Sequence, residues 1–307
     1  MCKARRTVSN VARRALSTAS QDYAAGLTDE QVEQYRRDGY VALEGFASRE
    51  ECAGLMRRMG MIVERFDPAE QRSVFSTRKQ KSDDYFMRSA SGIGYFLEEG
   101  ALGADGELTV PKDRAINKVG HALHDIDPEF RSFSRSERFQ GVLRSLGYAH
   151  PTPVQSMYIF KQPGIGGEVV PHQDSTFLWT DPRPSCVGLW LALEDADEGN
   201  GCMWFAPGSQ EQGVGRRFVR AEGSGGPVTF DRDVPPEYTS ADLVPVPVPA
   251  GTLVLIHGEV LHMSKENTGT RSRHAYTLHV VEGGEGYTWS PENWLQRDDA
   301  LPFEPMY

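Results

Sequence analysis

The stretch Val187-Gly188-Leu189-Trp190-Leu191-Ala192-Leu193 decides the fold. It is short, β-prone and apolar at odd and even positions alike, whereas a strand with one wet face would alternate. Such a strand is covered on both faces, and one of those faces can line a pocket. Further runs of this kind lie at Met157–Phe160, Cys202–Ala206, Thr252–His257 and Ala275–Val281, punctuated by Gly, Pro and Asn. No helical pattern separates them, which argues for an antiparallel sandwich or barrel rather than a parallel sheet.

Upstream the texture differs. Thr28 with Gln31 and Ser48 with Glu51 have capping-box spacing, so two helices start there. The second carries Cys52, Leu55, Met56, Met59, Ile62 and Val63 at helical spacing, which predicts one buried stripe. Gly39–Leu43 reads as a short strand, residues 66–115 are charged and turn-rich, and Phe130–Leu146 predicts a helix ending at Gly147. The expected organisation is a basic leader over 1–23 and a single domain over 24–307. Within that domain a mainly helical support (24–150) precedes a β core (151–285) with a Gly- and Pro-rich surface insert at 217–249, and a tail (286–307) follows.

The chain is 307 residues long and 39% hydrophobic, enough for a sizeable core and too apolar for disorder. Its net charge of −10 disfavours a nucleic-acid binder, and no apolar run approaches the ~20 residues of a membrane span. The leader runs the other way, with Lys3, Arg5, Arg6, Arg13 and Arg14 and no acid up to Gln21. It reads as a transit peptide or as a basic unstructured extension, placing the protein in the cytoplasm or mitochondrion. Four cysteines without C-x-x-C spacing fit a reducing, intracellular compartment, and the terminal Pro305-Met306-Tyr307 is no peroxisomal signal.

The chemistry concentrates in two segments. In His172-Gln173-Asp174 an imidazole and a carboxylate two apart project from one face of an extended chain and can converge on one ion. A third ligand is available from His257 or His262; these are five apart, so a regular strand turns only one of them into the pocket. Two His and one carboxylate form the facial triad that holds non-haem Fe(II) with three positions open. A 2-oxoglutarate molecule fills two and dioxygen the third. The distal carboxylate of 2-oxoglutarate then needs a cationic clamp, for which Arg271 and Arg273 are placed, with Ser264 as an additional donor.

The segments Ser156-Met-Tyr-Ile-Phe-Lys-Gln162, Pro171-His-Gln-Asp174 and His262-x-Ser-x-x-Asn267 with Arg273 resemble the phytanoyl-CoA dioxygenase family, and the likeness extends from Gln31 to Trp294. The resemblance implies a double-stranded β-helix (jelly-roll, cupin-like) core with flanking helices. It implies His172, Asp174 and His262 as ligands of Fe(II), and Lys118, Met157, Trp190, Ser264 and Arg273 as the 2-oxoglutarate site. The implied activity is oxidative decarboxylation of 2-oxoglutarate to succinate and CO2 coupled to hydroxylation of an organic substrate, with ascorbate in support. Asp174 favours hydroxylation, because halogenases of this broader class carry Ala or Gly there. His121 and His124 read as structural or pocket-lining, and His150, His274 and His279 carry no signal.

The substrate is not written in these motifs. An acyl-CoA would ask for cations at a cleft mouth, where Arg216 and Arg217 stand as candidates. Two other classes use the same residues: a metal-dependent cupin-type hydrolase or isomerase with Arg273 structural, and a sensor that binds iron and 2-oxoglutarate without turnover.

Overall fold

The computed structural model describes residues 21–68, 73–75, 84–220 and 227–307. The leader up to Ser20 lies outside the described residues. Tyr23, assigned to it from sequence, is buried against Phe46 and donates its hydroxyl to the Glu44 carbonyl at 2.8 Å.

Both capping boxes form. Thr28 and Gln31 exchange side chain–backbone bonds at the start of Asp29–Asp38, as Ser48 and Glu51 do at the start of Arg49–Glu64. The second helix buries Cys52, Leu55, Met59, Ile62 and Val63, with Met56 half-buried at the edge of the stripe. The helix expected over Phe130–Leu146 is instead two, Pro128–Ser134 and Glu137–Leu146. Ser136 leaves the helical region (ψ 154°) and restarts the chain as an N-cap. The second of them ends at Gly147, whose φ of 90° suits glycine.

Seven antiparallel strands form the large sheet, in the order Tyr40–Leu43, Leu253–His257, Val187–Ala192, Ala275–Glu282, Pro151–Ile159, Ile116–His121, Ile93–Leu97. The smaller sheet runs Val244–Val246, Met203–Phe205, His262–Ser264, Val169–His172. Together they make a double-stranded β-helix. The Val187–Ala192 strand is buried on both faces, as its composition demands. Leu189 and Leu191 join Leu253, Leu255, Tyr276 and Leu278 in a cluster with helix residues Met59, Phe130 and Phe139. Trp190 and Ala192 face the small sheet, in a second cluster with Met203, Phe205, Val254 and Ile256.

The N-terminal segment is more than a helical support, since three of the seven large-sheet strands come from it. Two of these, Ile93–Leu97 and Ile116–His121, are each interrupted by Gly, the second also by Asn and Lys, and lack the β-branched runs that mark the others. The 217–249 insert is likewise tied to the core: Phe218 and Tyr238 are buried and Val244–Val246 forms the outer small-sheet strand. The tail closes the structure with buried Trp294 and Leu295, and Arg297 reaches Asp125 at 3.1 Å, both side chains being under 4% exposed.

Removing one partner of such a buried pair costs about 3–5 kcal/mol, so Asp125→Ala should lower stability by roughly that amount in urea unfolding. Desolvation raises the Asp125 carboxyl, but His124 and Arg297 outweigh it and bring it down to about 2. Its stabilising contribution is therefore complete above the unfolded carboxyl's ~4 and is lost as pH falls through about 2. The gap between wild type and Asp125→Ala should narrow across that window.

Candidate metal and cosubstrate site

The His262–Ser264 strand pairs with Val169–His172 so that His262 lies directly opposite His172, with ring centroids 4.3 Å apart. Beyond His172 the chain turns into a short 3-10 segment that begins at Asp174, bringing the carboxylate toward the Nε2 edge of both rings. Asp174 Oδ1 lies 3.9 Å from His172 Nε2 and 3.7 Å from His262 Nε2. The three ligand atoms fall within 4.8 Å of one another, a spacing able to hold a metal ion. Each His Nδ1 faces a backbone carbonyl, Val170 O at 2.9 Å and Val260 O at 3.0 Å. Because a carbonyl only accepts, each Nδ1 carries the proton and leaves the Nε2 lone pair for a ligand role. Burial, followed by the neighbouring His262, brings His172 down to about 4, so its ring is neutral at physiological pH.

Asp174 is buried, which by itself raises its carboxyl. His279, His262 and His172 outweigh that cost and hold it well below the ordinary carboxylate range. His279 is a functional-site residue that sequence reasoning missed: its Nε2 lies 3.4 Å from Asp174 Oδ2. Strand parity is the signal that could have found it, since 273, 275, 277 and 279 share one side of an extended chain. His257 points elsewhere, packing on Tyr35 at 5.7 Å and accepting from Glu259 N at 3.2 Å. His121 lines the cavity, with Nδ1 2.8 Å from Ser89 Oγ, and His124 is buried beside Asp125 and Ser156.

One cavity joins the triad to Lys118, Met157, Trp190, Ser264 and Arg273. Arg273 is 1% exposed, its guanidinium carbon 5.2 Å from the Trp190 ring centroid, and its Nε and Nη1 have no hydrogen-bond partner. No carboxylate pairs with it among the described residues. Burial lowers it to about 10, still cationic at neutral pH. An unpaired cation in such a place is costly unless an anion joins it. Arg271, by contrast, is exposed and bonded to Asp197 at 2.7 Å. Lys118 is buried with Nζ 3.3 Å from the Phe75 ring centroid, and desolvation lowers it to about 7. Among the described residues no helix is long and apolar enough to cross a membrane.

Antiparallel double-stranded β-helix, His-x-Asp…His cluster and buried arginine together define the 2-oxoglutarate-dependent non-haem iron dioxygenases. The chain belongs to the phytanoyl-CoA dioxygenase (PhyH) family, which it matches over residues 35–275. It is 49% identical to phytanoyl-CoA dioxygenase of Arabidopsis thaliana, over 92% of this chain and 97% of that one. To phytanoyl-CoA dioxygenase domain-containing protein 1 of Mus musculus it is 48% identical, over 92% and 99%. The fold matches the α-ketoglutarate-dependent carbocyclase SnoK from nogalamycin biosynthesis at TM-score 0.63 and 21% identity, covering 92% and 98% of the two chains. It also matches EctD of S. alaskensis, solved with 2-oxoglutarate and 5-hydroxyectoine, at TM-score 0.56 and 19% identity, covering 83% and 76%.

Gly188 sits against the triad: a Cβ there would stand 2.7 Å from Asp174 Oδ2 and 3.2 Å from Ile256 Cβ. Gly188→Ala should therefore displace the carboxylate and weaken Co(II) binding, read by titration, roughly tenfold or more. His257→Ala should leave that affinity unchanged.

Proposed function

We propose that His172, Asp174 and His262 hold Fe(II) through Nε2, Oδ1 and Nε2, and that the protein couples decarboxylation of 2-oxoglutarate to succinate with hydroxylation of a separate organic substrate. The observation that carries this reading is Arg273, a buried cation with two unpaired donors in the same cavity as the triad. Its planar fork suits the distal carboxylate of 2-oxoglutarate, with Ser264 donating to the same group. Trp190 and Met157 wall the slot between clamp and triad, and Lys118, brought down to about 7 by burial, adds a partial positive charge on the cavity wall.

Bound in the triad, iron would supply the dioxygen activation that the side chains cannot. The chain's part is to orient and exclude. His279 lies against the far oxygen of Asp174, leaving Oδ1 toward the two imidazoles. The Val170 and Val260 carbonyls fix both imidazoles in the tautomer that presents Nε2. Apolar walls keep water from the reacting carbon. A cupin-type hydrolase or isomerase gives Arg273 no task, and its unpaired burial argues against that class.

The test is succinate formation by the purified chain with Fe(II), oxygen and ascorbate. His262→Ala should abolish iron-dependent succinate. Arg273→Ala should retain metal while its 2-oxoglutarate affinity falls about 10- to 100-fold, the loss expected for a charge-assisted bidentate contact. Unchanged cosubstrate affinity would overturn the clamp, and 2-oxoglutarate binding with no succinate under any substrate would mark a sensor.

A further inference from the structure

Beyond the cosubstrate slot the same cavity contains a further cation, one with no assigned task. Of the adjacent arginines, Arg217 is occupied, bonded to Glu292 at 2.9 Å and lying over Trp179. Arg216 lines the cavity, its Nε is buried without a partner, and no carboxylate is within ion-pair reach among the described residues. Asp231, whose charge bears on Arg216, is engaged by Arg232 at 3.0 Å and by Arg217 N at 2.8 Å. The Arg216 guanidinium carbon lies 3.7 Å from the Phe230 ring centroid, a contact that favours the cation without neutralising it.

A run of rings connects this cation to the triad. Phe177 lies 6.3 Å from His172 and 6.2 Å from Phe230, with Phe218 packed against both Phe177 and Phe230 at 5.7 and 5.0 Å. Phe177 faces the cavity alongside Leu178 and Trp294. The loop that carries Arg216 is also fastened to the triad strand. Gln173, between two triad residues and 3% exposed, accepts from Gly215 N at 2.9 Å and from the Tyr238 hydroxyl. Its amide donates to the Gly213 and Glu259 carbonyls at 2.8 and 2.6 Å. Cation, aromatic wall and metal ligands are thus held in one frame, the pre-organisation that a substrate subsite requires.

We propose that the organic substrate carries an oxyanion, carboxylate or phosphate, that pairs with Arg216 while its apolar body lies along Phe177, Leu178 and Trp294 toward the triad. The proposal rests on the oxygenase reading above and adds to it the polarity of the substrate: anion at Arg216, hydrocarbon at the oxidising end.

The test uses the full chain with 2-oxoglutarate and Co(II), which binds without turning over, and ligand-observed NMR. Three probes share a phenylalkyl body: 4-phenylbutanoate, its uncharged amide, and 3-phenylpropyl phosphate. Wild type should bind at least one anion about tenfold more tightly than the amide, and the preferred anion identifies the oxyanion as carboxylate or phosphate. Arg216→Gln should reduce that preference to within about twofold, and Arg216→Lys should restore part of it. Retained 2-oxoglutarate binding shows that each variant is folded. Equal binding of anions and amide by wild type, no binding of any probe, or a preference that survives in Arg216→Gln would overturn the proposal. Failure of wild type to bind 2-oxoglutarate would overturn the oxygenase reading beneath it.

Discussion

The pairing of His262 opposite His172 is the contact on which the remaining chemistry depends. Two strands of three and four residues bring together imidazoles ninety positions apart in sequence, and neither strand would persist alone. They persist because Met203–Phe205 pairs with the other side of His262–Ser264 and because the large sheet covers them through Trp190, Val254 and Ile256. The register matters as much as the pairing. A slip of one residue in either strand would turn its imidazole out of the cavity, and Asp174 would lose one of the histidines that, with His279, offset its burial.

The electrostatics of the cavity oppose those of the molecule. A chain of net charge −10 surrounds a pocket into which Arg273, Lys118 and Arg216 project without carboxylate partners among the described residues. In a low-dielectric cleft such a local field favours anions whatever the sign of the net charge. Lys161, also on the cavity wall, is a different case: its ammonium donates to the Gly167 and Lys265 carbonyls at 2.7 and 2.8 Å and secures the loop that precedes the triad.

Much of this was legible in the sequence. Capping boxes are local, so Thr28 and Ser48 could be read without knowledge of the fold. The central strands announce themselves through dense β-branched and aromatic runs. Val169–His172 and His262–Ser264 do not, being too short for any periodicity to emerge, although they hold two of the three triad residues. His279 was silent because a histidine within an apolar strand looks the same whether it faces a carboxylate or a core. The choice between His257 and His262 depended on family likeness, since parity alone says only that they diverge. The insert and tail were read by composition, and composition does not report that Tyr238 touches Gln173 or that Arg297 meets Asp125.

Among the described residues the strand Tyr40–Leu43 pairs only with Leu253–His257, although it is made some two hundred residues earlier. At ribosomal rates of about 5–20 residues per second, its partner emerges roughly 10–40 s later. Throughout that interval an apolar edge, Val41 and Leu43, has no strand to join. The sheet on which the catalytic cavity rests is therefore completed only after Ala275–Glu282 has emerged, long after its first strand is made.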